Sequence, residues 1–151
     1  MPSRQRRTAP SAAAPGKLFV DSSAWIALVS ARDQHHAEAD ALIREAVARR
    51  LSLVTTNLVF AEVHRFLLFR AGARAATAAL TRIEGSERVK LEFATEIHHR
   101  RAHAWLERLA SHAISYTEAV SFAVVEALRC TAVLTFDHDF VLAGFSRWTS
   151  D

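Results

Sequence analysis

Two kinds of apolar spacing alternate along this chain. Leu18-Phe19-Val20, the stretch 51–55, the positions Val89, Leu91 and Phe93, and the run Ala132-Val133-Leu134 are short, continuous or alternating, and of strand length. Between them the apolar residues recur at three- and four-residue steps. Trp25, Ile26, Leu28 and Val29 line a helix that Ser22 or Ser23 can cap, and Ala39, Leu42, Ile43, Ala46 and Val47 line a second over 35–50. Thr55, Thr56 or Asn57 can cap a third, which carries Leu58, Val59, Ala61, Val63, Phe66 and Leu67 to about position 70; an alanine-rich helix fits 73–83. Gly85 and Ser86 break the pattern before the strand at 89–93. Ile97, His98, Ala102, Trp105, Leu106 and Leu109 give a helix opened by Thr95, and a last helix over 118–129 leads into a strand over 131–136.

This alternation predicts the α/β class: a three-layer α/β/α sandwich around a central, mostly parallel sheet, with helices on both faces. Ligands of such sheets gather at the C-terminal ends of the strands. The acids fall there. Asp21 ends the first strand and Asp137 the last, with Asp139 two residues on; Glu62 lies about one and a half turns into the helix after the second strand, and Glu118 opens the helix after Ser115-Tyr116-Thr117. A lone Asp at a strand end is ordinarily a turn or cap residue, and a lone helical Glu an exposed one. Four at equivalent topological positions point to a site.

Composition changes the picture little. The chain has 151 residues, 50% of them hydrophobic, enough for one domain with a real core. No run of about 18 apolar residues is present, and 11–14 is too short and weakly apolar for a signal segment, so a cytoplasmic protein without a membrane partner is expected. Cys130, the one cysteine, lies between Leu128 and Ala132 and reads as a small buried hydrophobe. The pI near 9.7 suggests nucleic acid until the charge is located. Of 19 basic residues, Arg4, Arg6, Arg7 and Lys17 fall in the first 17 positions, where no acid stands, leaving 15 against 16 acids. The basic balance therefore belongs to a disordered tail over 1–16, weakly attractive to RNA or simply solvated, ahead of a near-neutral domain over 17–151.

Four carboxylates brought together repel one another unless some protonate or a cation binds. Hard oxygen donors without Cys or organised His favour Mg²⁺, with Mn²⁺ as a substitute, and such an ion can activate water against a phosphodiester. Ser23, Thr56, Asn57, Thr117 and Ser121 stand near the acids in sequence; each can orient ligands or water, and each is also explained by capping or surface placement. A phosphoacceptor or aspartate-nucleophile phosphatase would need a nearby lysine and, for the phosphatase, an acid two residues after the first. Only Lys17 and Lys90 exist, and position 23 is Ser.

Val20-Asp21-Ser22-Ser23-Ala24-Trp25, then Thr55-Thr56-Asn57 followed by Glu62, then 114–123, then Thr135-Phe136-Asp137-His138-Asp139-Phe140 resemble the PIN-domain ribonucleases, in detail the VapC toxins of type II toxin–antitoxin systems. The likeness spans about 17–145 with the motifs in family order. It implies a Mg²⁺-dependent endoribonuclease toxin acting on RNA, a homodimer, neutralised by a VapB-type antitoxin whose C-terminal segment reaches the active-site groove. It also implies that Asp21, Glu62, Glu118 and Asp137 are catalytic metal ligands, with Asp139 beside them. Glu118 departs from the family, which commonly has Asp there; one methylene moves the carboxylate by roughly a bond length, enough for a metal site to feel. An attenuated module that binds antitoxin and cuts little is therefore the alternative. At 139 many relatives carry His.

Other features have plainer readings. His98, His99 and His103 include an i, i+4 pair, but Arg100 and Arg101 beside it favour an exposed polar face. His35-His36 is expected to face solvent, and Trp25 and Trp105 to fill core or dimer contacts. Arg65, Arg70 and Arg74 are candidates for phosphate or antitoxin contacts, or a solvated face.

Overall fold

The computed structural model describes residues 14–150. Among them four strands, β1 (Lys17–Val20), β2 (Ser52–Thr56), β3 (Val89–Glu92) and β4 (Ala132–Leu134), form one sheet in the order β3-β2-β1-β4. Every pairing is parallel, with Phe19 opposite both Val54 and Val133 and Val54 opposite Lys90. The sheet is thus entirely parallel, where a mostly parallel one was expected. β1 is central, and Leu18, Phe19 and Val20 are fully buried. Past β4, a bridge from Val133 to Arg147 folds the chain end along its edge.

The connecting helices are α1 (Ser22–Val29), α2 (His36–Ala48), α3 (Asn57–Ala71), α4 (Ala73–Glu84), α5 (Glu96–Arg108), α6 (Tyr116–Leu128) and α7 (Asp139–Leu142). α3 and α4 turn at Gly72, whose φ of 87° is one that side-chain-bearing residues rarely adopt. No helix among the described residues is long and apolar enough to cross a membrane. The tail expected over 1–16 lies, apart from 14–16, outside the described residues.

Several boundaries and caps depart from expectation. Asp21, not Ser22 or Ser23, is the N-cap of α1, and it makes no capping side-chain bond; both serine hydroxyls go to acids instead, because a carboxylate is a stronger acceptor. β4 stops at Leu134, three residues before Asp137. α6 begins at Tyr116 with Ser115 as N-cap, so Glu118 is its third residue and not its first. His98 is 7% exposed, and its Nδ1 accepts from the Thr95 amide at 3.1 Å, closing the start of α5; it does not lie on an exposed face. His35 and His36 are half-buried. His36 Nδ1 lies 2.8 Å from the Ala27 carbonyl, and the His35 ring stacks on Phe136 at 4.3 Å.

Beneath the strand ends the core holds the site's supports. Trp25 is buried, and its indole donates to Thr55 Oγ1 at 3.1 Å, while that hydroxyl donates to the Val20 carbonyl, so no polar atom of the pair is stranded. Trp105, Phe122, Phe140 and Phe145 form an aromatic cluster, with Phe122 edge-on to Phe140 at 5.0 Å. Phe140 anchors α7, and with it the neighbouring Asp139. Cys130 is half-buried and burial pushes its thiol up to about 11, which leaves it a protonated, unreactive side chain.

Candidate active site

Hydroxyl groups organise the acids at the ends of β1 and β4. The Asp21 amide donates to the Leu134 carbonyl at 3.1 Å, so the two strand ends are clamped side by side. Asp21 Oδ2 then accepts from Ser23 and from Thr135, each at 3.2 Å. Thr135 also accepts the Asp137 amide at 3.0 Å, and Ser23 accepts the Phe136 amide at 3.0 Å. Each hydroxyl spends its one hydrogen on Asp21 and offers its lone pair to the next peptide, which sets the course of the chain into Asp137. From α3, Glu62 joins through Ser22, whose hydroxyl donates to Oε2 at 3.2 Å.

Electrostatics register this gathering. Asp21 is 3% exposed, and burial pushes its carboxyl from 3.8 up to about 7. The charges of Asp137 and Glu62 push the same way, against the Ser22 amide and the Thr135 hydroxyl. No lysine or arginine among the described residues forms an ion pair with Asp21, Glu62, Glu118, Asp137 or Asp139.

Glu118 and Asp139 form a second group. Glu118 Oε2 accepts the Ser115 amide at 2.7 Å while Ser115 Oγ accepts the Glu118 amide at 3.1 Å, a reciprocal capping box on α6. Burial first, then the interaction with Asp139, the first residue of α7, and its charge push Glu118 from 4.5 up to about 7, although both Ser115 groups pull it down. The five acids are therefore arranged as three and two, and no three His, Cys, Asp or Glu side chains among the described residues stand close enough together to hold a metal ion as they are.

The donor set nevertheless fits a hard divalent cation. It consists of carboxylates with hydroxyls behind them, it lacks a neutralising side chain, and burial, aided by the charges of Asp137 and Glu62, makes its most buried member resist ionisation. Of the polar residues near the acids in sequence, Ser23 touches one. Thr56 is fully buried and caps α3 through the Val59 amide at 3.1 Å; Asn57 Oδ1 accepts the Ala94 amide at 2.8 Å; Ser121 donates to the Thr117 carbonyl at 2.9 Å.

Sequence reasoning missed Ser22 and Thr135. Thr135 carries a signal in retrospect: it is a hydroxyl residue that ends the apolar run of β4 two residues before an acid. His35 was missed as well. Its ring covers Phe136, over which Arg147 also lies at 5.5 Å, and Glu38 reaches the His35 imidazole at 3.8 Å and the Arg147 guanidinium at 3.9 Å. No local pattern joins residues so far apart.

A PIN-domain family model matches residues 18–145. A Mycobacterium tuberculosis protein named 23S rRNA-specific endonuclease VapC20 is 36% identical over 128 residues, which cover 85% of this chain and 95% of that protein. The crystal structure of M. tuberculosis VapC20, described as a sarcin–ricin loop cleaving toxin, superposes with a TM-score of 0.75 at 35% identity, over 85% of this chain and 96% of the other. A toxin–antitoxin complex from Klebsiella pneumoniae shares the fold, with a TM-score of 0.58 at 18% identity over 82% and 89% of the two chains.

Proposed function

Since the chain belongs to the PIN-domain family, as a VapC-type member, we propose that it is a Mg²⁺-dependent endoribonuclease toxin whose substrate is the sarcin–ricin loop of 23S rRNA. The observation that carries this reading is the gathering of Asp21, Glu62 and Asp137, whose charges raise the carboxyl of Asp21, with hydroxyls holding Asp21 and Glu62 and the Asp137 amide and no cation paired to them. These carboxylates, with Glu118 and Asp139, would hold Mg²⁺, for which Mn²⁺ substitutes. When bound, a divalent ion lowers the pKa of a water and offsets charge building on a phosphate oxygen. Ser23 and Thr135 hold the Asp21 carboxylate in place, so that little reorganisation is left for the reaction. Glu118, whose carboxyl burial pushes up to about 7, can take the proton that water loses or give one to the departing ribose oxygen.

The partner is a VapB-type antitoxin, and the toxin works as a homodimer in the cytoplasm, with a nuclease domain over 17–151 following a basic tail. The open groove of about 950 Å³ between the α1–α2 turn and α3/α4, lined by Phe66, Leu67, Arg70 and Arg82 among others, offers an apolar floor and a guanidinium rim for the antitoxin segment. A second reading, an attenuated module that binds antitoxin and cuts little, is favoured by the bond of Glu118 to the Ser115 amide, which commits the variant carboxylate to its own helix.

Protein freed of antitoxin is expected to cut 23S rRNA with Mg²⁺ or Mn²⁺, to stop with EDTA, and to lose cutting by more than about 100-fold in Asp21→Ala and Asp137→Asn. Intact 23S rRNA and tRNA after such treatment would leave the binding module standing and the enzyme overturned.

A further inference from the structure

Beside the second acid group stands a set of exposed rings that the reaction as described does not use. Tyr116 is the first residue of α6 and 42% exposed. Its hydroxyl lies 2.9 Å from His99 Nδ1 on α5, and the two rings stand 5.8 Å apart at 63°. The His103 ring, one turn along α5, meets His99 at 4.7 Å and 74°. Both imidazoles are exposed. Tyr116 directly follows Ser115, whose amide holds the Glu118 carboxylate, so the ring is carried by the first turn of the helix that carries Glu118.

Three observations narrow what the set is for. A tyrosine that only packs would bury its ring, whereas here the hydroxyl is tethered and the ring left open, which fixes its orientation without covering it. A metal is poorly served, since His99 Nδ1 is engaged by Tyr116 and no third His, Cys, Asp or Glu among the described residues joins the imidazole pair. The other exposed aromatic side chain on an acid-bearing helix, Phe69, stands seven residues beyond Glu62, about two turns along α3, and lies under Arg65.

We infer that Tyr116, held by His99 and backed by His103, is a stacking platform for an unpaired base of the RNA, seating the strand so that its phosphate lies over the acids. This rests on the ribonuclease reading. Stacking on an aromatic side chain is tolerant of base identity and is lost when the ring is removed, by about 5- to 100-fold in affinity. Tyr116 is thus a positioning residue and takes no part in proton transfer.

The test uses the sarcin–ricin hairpin of 23S rRNA, fluorescein-labelled for affinity on the non-cutting Asp137→Asn protein, and carrying 2-aminopurine at each loop position in turn. Tyr116→Ala is expected to raise Kd and KM by about 10-fold with kcat within about 2-fold, and to abolish the quenching of one 2-aminopurine. Tyr116→Phe, which keeps the ring and loses the tether, should recover most of the affinity and the quenching; His99→Ala should weaken binding by about 3-fold. If the unsubstituted protein cuts while Tyr116→Ala binds and quenches as before, the platform is wrong and the ribonuclease stands. A fall in kcat with KM unchanged also overturns the platform, since it would make Tyr116 a support of the Ser115–Glu118 cap. If the unsubstituted protein neither binds nor cuts the hairpin, both readings fall.

Discussion

The two groups of acids are built on different principles. Asp21, Glu62 and Asp137 come from three separate elements, and their carboxylates or amides are met by the side-chain hydroxyls of Ser22, Ser23 and Thr135. Glu118 is met by the backbone and hydroxyl of its own N-cap, so the bond that holds it also holds α6. The first group is organised for a ligand, and its cost is visible in the raised pKa of Asp21. The second shares its carboxylate between helix and site. The added methylene of Glu is what lets the carboxylate reach the N-cap amide, since a capping box calls for Glu or Gln at the third helical position. A family departure that looks conservative by charge is therefore a change of bonding partner.

Breaking the first group should have the larger effect. Thr135→Val keeps shape and burial but removes the donor to Asp21 and the acceptor for the Asp137 amide. Cleavage should fall by about 10- to 100-fold, the range for losing a group that orients a metal ligand. Initial rates at saturating Mg²⁺ measure this, and a change of less than about 3-fold would show that the acids hold their places without the hydroxyl.

Shortening the second group sharpens the contrast in the other direction. Glu118→Asp withdraws the carboxylate from the Ser115 amide and returns it to the site, so kcat/KM should rise by about 3- to 10-fold, within the factor of about 100 that a 1 Å displacement can cost. Loss of the cap bond should at the same time destabilise the protein by about 0.5–1.5 kcal/mol in urea unfolding. Unchanged activity would mean that Glu serves as well as Asp.

The smallest effect is on stability. In the metal-free protein Asp21 and Glu118 keep their protons up to about pH 7, whereas in the unfolded chain they ionise near 3.8 and 4.5. Between these limits the folded state binds more protons than the unfolded one, so stability falls as pH rises. Tm should drop from about pH 5 to about pH 7.5 on this account, and Mg²⁺ should restore more of it at the higher pH, where it replaces protons. The double variant Asp21→Asn, Glu118→Gln should flatten both slopes; scanning calorimetry of the two proteins with and without Mg²⁺ would settle it, and equal slopes would refute the assignment.

How much of this was legible beforehand follows from the range of each interaction. The strands, the alternating helices and the positions of Asp21, Glu62, Glu118, Asp137 and Asp139 near strand ends are set by local periodicity and by the topological rule for parallel sheets, both of which act over a few residues. The caps were less legible. Ser22 and Ser23 are ordinary capping residues by type, yet Ser22 gives its hydrogen to Glu62, 40 residues away, and Ser23 gives its own to Asp21. His98 likewise looks exposed by its charged neighbours, yet it turns inward to close its own helix.

By itself, then, the sequence determined the α/β order, the all-helical crossovers and the delivery of acids to one edge, because apolar spacing and strand-to-helix junctions carry that information locally. Only the tertiary structure decided that the acids divide into three and two. That division depends on which acids and hydroxyls the fold brings beside one another, Ser22, Ser23 and Thr135 among the first group and the α6 N-cap at Glu118, and no spacing along the chain encodes distances so short between residues so far apart.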